Sequence, residues 1–79
     1  MRTALVQFAS SLEPAANLET IGLALANLNA DEVDLVVLPE AAMCDFGSPE
    51  FDVTGVSQPL DGPFVQFLAN EARRLNAHV

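Results

Sequence analysis

From Thr3 to Ala9, the apolar Ala4, Val6 and Phe8 alternate with Thr3 and Gln7, while Leu5 makes the second side partly apolar. That two-residue period predicts a strand. Ser10-Ser11-Leu12-Glu13-Pro14 interrupts it, and Pro14 suits a first helical turn, where an N–H would have no partner anyway. Between Pro14 and Asn29 the period becomes helical: Leu18, Ile21, Leu25 and Leu28 fall on one stripe, with alanines and Gly22 beside it. The helix is expected to stop before Asp31, because Asp31, Glu32 and Asp34 are repelled by the negative end of a helix dipole. Asp34-Leu35-Val36-Val37-Leu38-Pro39 then carries an apolar block without polar alternation, the pattern of a strand buried on both faces. Pro39 ends it, since proline has no N–H for the next rung.

Glu40 to Pro59 has no period and mixes Gly, Pro, Ser and Asp with two phenylalanines. Loops of that length are usually functional or disordered. Asp61-Gly62-Pro63 announces a second helix, with Asp61 as N-cap and Pro63 in the first turn. Phe64, Phe67, Leu68, Ala72 and Leu75 form its apolar stripe, and Arg73 and Arg74 fall in its last turn, where cations complement the dipole. Ala77-His78-Val79 reads as the opening of a third strand.

The series β-α-β-α-(β) predicts an α/β fold with parallel pairing and right-handed crossovers. Strands added in one direction place both helices on the same face of the sheet. The opposite face and one edge are then left open. Residues 1–79 are accordingly expected to be the front of a larger domain cut at the start of its third strand, or to pair with a second copy.

Composition narrows the function. The 79 residues allow at most one small domain, and 51% hydrophobic against 18% charged residues excludes intrinsic disorder. Eleven acids against three arginines, with no lysine, give a formal charge of −8. Such a field repels phosphate backbones and anionic membranes, so neither nucleic acid nor membrane is an expected partner. Cys44 is the single cysteine, no Cys/His cluster could hold a metal, and no glycine-rich phosphate loop occurs, so no cofactor is expected. A lone free thiol fits a reducing cytoplasm. No apolar run approaches the ~20 residues of a membrane span, and the start does not read as a signal peptide.

Glu40 is the most informative side chain. It stands just beyond the C-terminal end of a buried parallel strand, where open α/β sheets place their ligands. Partial burial there would raise its pKa into the range of a useful base. The same position equally suits a residue that caps the following turn or faces water.

Leu38-Pro39-Glu40 after an apolar strand resembles the first catalytic motif of the nitrilase superfamily, the carbon–nitrogen hydrolases. Val6-Gln7-Phe8, Asn17-Leu18, Leu60-Asp61-Gly62-Pro63, Ala72-Arg73 and Ala77-His78-Val79 resemble that family's N-terminal pattern in order and spacing. The resemblance runs through essentially the whole chain and roughly the first third of a family member. It implies a four-layer αββα sandwich and a Glu-Lys-Cys triad. Glu40 would be the general base, with the lysine and nucleophilic cysteine lying beyond residue 79. The implied substrates are small amides, nitriles or N-carbamoyl compounds, and the complete protein would be a homo-oligomer. The 79 residues alone are expected to be inactive.

Cys44 lies four residues after Glu40, where the family does not carry its nucleophile. No cation neighbours it in sequence to favour a thiolate, so it reads as a packing cysteine. Phe46 either lines an acyl pocket, as the resemblance suggests, or tucks onto the core. His78 reads as structural, and Ser10-Ser11 lacks the spacing of a nucleophile elbow. The rival reading is a non-catalytic, truncated α/β module acting through association with a partner or a second copy. A flavodoxin-like or receiver-type fragment is weaker, because Ala9-Ser10-Ser11 stands where its carboxylates would be.

Overall fold

The computed structural model describes residues 1–79. A strand β1 (Thr3–Leu5), a helix α1 (Pro14–Leu25), a strand β2 (Leu35–Val37) and a helix α2 (Pro63–Leu75) follow in order, with a 3-10 turn at Val53–Val56. β1 and β2 pair in parallel, Thr3 opposite Leu35, Ala4 opposite Val36 and Leu5 opposite Val37. His78 makes one parallel bridge to the other edge of β2: its N–H donates to Asp34 O at 3.0 Å, and Val36 N–H donates to its carbonyl at 2.8 Å. β2 is therefore central, as expected if successive strands are added in one direction.

The elements are shorter than the hydrophobic pattern implies. β1 stops at Leu5, although Val6 N–H still donates to Val37 O at 2.9 Å. α1 stops at Leu25, short of Asn29. Its end is held from outside: the Arg74 guanidinium donates to Leu28 O at 2.8 Å and Leu25 O at 3.0 Å. Arg74 thus serves the carbonyl end of the neighbouring helix. Asp61 is not the cap of α2. The N-cap is Gly62, with Pro63 behind it, and Gln58 Oε1 accepts the Phe64 N–H at 2.9 Å. Asn76, at φ 52, closes the other end by turning the chain through the left-handed region.

The core lies on one face of the sheet. Ile21, Leu25 and Leu75 are fully enclosed against Val33, Val36 and Phe64. Both helices supply it, which is the same-face arrangement expected of two right-handed crossovers. Gly22 lets them approach, since a Cβ there would sit 3.3 Å from Phe67 Cζ. β2 is covered on this side only: Val36 is 2% exposed, whereas Val37 and its partner Leu5 are 42% and 70% exposed. The two-sided burial expected of the block is absent from these residues. No helix is long and apolar enough to cross a membrane.

Candidate active site

β2 delivers Leu38 and Pro39, both half-buried, and then Glu40 in a turn. Ala41 follows at φ 57, a conformation costly for a residue with a Cβ, and it reverses the chain directly after the carboxylate. Glu40 is exposed. The burial expected of it is not supplied by residues 1–79, because the chain turns away over the loop and nothing packs across the strand ends from the opposite side.

Glu40 nevertheless borders a cleft of about 450 Å³, whose walls include Met43, Cys44, Phe46, Val53 and Val56. Apolar walls with one carboxylate at the rim suit a small ligand with a polar reacting group. Phe46 is 67% exposed and lines this cleft, so it is not tucked onto the core. Cys44 lies on the same wall, with Sγ 3.4 Å from Leu12 O and 3.3 Å from Asp45 O. His78 stays in the sheet, engaged through its backbone.

Two features fix the loop that forms the cleft. Gly47 adopts φ 70, where a Cβ would meet Leu12 Cδ2 at 2.9 Å and Phe51 at 3.0 Å, so only glycine fits. Asn17 of α1 binds the loop from below, with Nδ2 donating to Met43 O at 2.8 Å. The far wall is the 3-10 turn, which the sequence pattern did not reveal. Its signal is local: Asp52 caps it by accepting Thr54 N–H at 3.0 Å and the Thr54 hydroxyl at 2.6 Å. The Thr54 hydroxyl, and then its N–H, hold the Asp52 carboxyl below the usual carboxylate range. No three His, Cys, Asp or Glu side chains gather as metal ligands.

The carbon-nitrogen hydrolase family model matches residues 2–79. Hydrolase MT0498 and Hydrolase Rv0480c, from two strains of Mycobacterium tuberculosis, are each 41% identical over 75 residues, covering 95% of this chain and 24% of theirs. The crystal structure of XC1258 from Xanthomonas campestris, a CN-hydrolase superfamily protein with an arsenic adduct in its active site, is also similar. It matches with a TM-score of 0.83 at 36% identity, over 98% of this chain and 28% of that one. The chain spans about a quarter of the length of these relatives, less than the third expected. With sequence and backbone path agreeing from Arg2 onward, the chain belongs to the carbon–nitrogen hydrolase family.

Proposed function

We propose that these residues supply the general base, Glu40, of a hydrolase that cleaves a non-peptide carbon–nitrogen bond in a small amide, nitrile or N-carbamoyl compound. The observation that carries this reading is the position of Glu40, at the mouth of a parallel sheet and the rim of an apolar cleft. In the triad implied by the family, Glu40 takes the proton of a cysteine thiol, and the thiolate attacks the amide or nitrile carbon. A lysine stabilises the charge that develops on the reacting group. For an amide, ammonia or an amine leaves with the proton, and water activated by Glu40 hydrolyses the thioester. Both the lysine and the nucleophile come from chain beyond these residues, which contain no lysine at all. That chain also encloses Glu40 and supplies its desolvation. Phe46 forms a wall of the acyl pocket.

In the complete protein, Glu40→Gln should lower kcat by about 10³-fold, the scale of a lost general base, while leaving the fold intact. The 79 residues alone should release no ammonia from amides above buffer. Turnover that survives Glu40→Gln rules out the base assignment. A second reading, a non-catalytic module that works by association, draws its support from the exposed Leu5 and Val37.

A further inference from the structure

Asn17 sits on the buried stripe of α1, in line with Ile21 and Leu25, and is 2% exposed. An apolar side chain would continue that stripe, and asparagine is a poor helix residue. Burial of an amide is tolerable only when its polar groups are paired. Here they are: Nδ2 donates to Ser11 O at 2.9 Å and Met43 O at 2.8 Å. Oδ1 accepts Ser11 N–H at 2.8 Å, with the Ser11 hydroxyl at 3.3 Å. The amide's whole donor and acceptor capacity is spent, and it is spent on two loops. One leads into α1 and the other follows Glu40. Asp45 N–H closes the same junction by donating to Ser11 O at 2.9 Å. Between Glu40 and Met43 lies Ala41 in its left-handed conformation, which persists only where the surroundings enforce it.

We infer that Asn17 is a positioning residue, which sets the Glu40 carboxylate at the cleft by pinning the backbone of Met43, three residues further on, to α1. The inference rests on the general-base reading of Glu40. Asn17 itself does not line the cleft, so it acts only through the loop. A misplacement of about 1 Å at a reacting group is enough to cost ~10²-fold in rate.

Asn17→Ser and Asn17→Asp, made in the complete protein, test this alone and on a Glu40→Gln background. The expected result is a kcat lowered about 10²-fold with KM nearly unchanged. On the Glu40→Gln background the same substitutions should add almost nothing, because moving a base that is already absent has no further effect. An unchanged kcat, or losses that multiply fully across the two sites, overturns the inference. If Glu40→Gln alone keeps the parental kcat, the general-base reading is what has failed, and the inference falls with it. Amide hydrogen exchange in the unsubstituted protein supplies a readout independent of how the variants fold. The Asp45 N–H should exchange at least ~10-fold more slowly than that of Gly47, which makes no backbone hydrogen bond. Equal rates would mean that the clamp is not closed, and would also overturn the inference.

Discussion

Asp34 carries more of the sheet than its modest exposure suggests. Its N–H donates to Arg2 O at 2.8 Å, its carbonyl accepts His78 N–H, and its carboxylate accepts Arg2 N–H at 2.7 Å. That last bond, helped by the Arg2 charge and opposed by partial desolvation, holds the Asp34 carboxyl below its usual range. A carboxyl depressed in the folded state contributes stability that is fully present above the unfolded value of ~3.9. That contribution is lost as pH falls through the lower folded value. Glu32, bonded by Asn29, and Asp52 act in the same direction. The thermal midpoint should therefore fall between pH 5 and pH 3. Asp34→Asn, which keeps an oxygen for Arg2 N–H but no charge, should reduce that fall; an unaltered slope would remove Asp34 from the account. At this scale the sequence was only partly readable. Glu40 could be placed from a strand and a proline beside it. Asn17 belonged to the recognised pattern, yet its task could not be read, because its partner Met43 is 26 residues away. The one local hint was a polar residue four positions before Ile21 on a buried stripe. Ala41 gave no hint, since alanine has no preference for positive φ.

The types and order of β1, α1, β2 and α2 followed from period, whereas their ends depended on contacts between elements. Arg73 and Arg74 look equivalent in the sequence, both suited to the C-terminal dipole of α2. In the fold, Arg73 bonds Asn70 on its own helix, while Arg74 pairs with Glu71 and donates to Leu25 O at the end of α1 and to Leu28 O just beyond it. Arg74→Met keeps the aliphatic stem and should cost about 1–2 kcal/mol in urea unfolding, the scale of charged hydrogen bonds discounted for partial exposure. Arg73→Met should stay within about 0.5 kcal/mol. Equal losses would show that the bond to α1 contributes nothing beyond helix charge. The N-cap of α2 followed the same logic. Asp61 has the right chemistry, but the turn closed by Gly62 N–H on Pro59 O brings Gln58 to the Phe64 N–H instead. A side chain six residues away won because the loop folds back, which local propensity does not encode.

For the molecule as a whole, the parallel order and the single helical face were legible, and so was their consequence, an uncovered side of the sheet. Leu5 and Val37 are paired across the ladder and both exposed there, on the opposite face from the core. An apolar pair on an open sheet favours association unless further chain covers it. Val37→Thr discriminates between these states, because it preserves shape and β-propensity while adding a hydroxyl. In the 79-residue chain the hydroxyl meets water, so stability should change by no more than about 0.5 kcal/mol. Any rise of molar mass with concentration in light scattering should weaken. In the complete protein, a hydroxyl buried without a partner should cost about 1–3 kcal/mol. A large cost there and a negligible one in the 79 residues means that the remaining chain covers this face, as the proposed hydrolase reading requires. Small effects in both would leave the face free in the complete protein and favour the association module over the hydrolase.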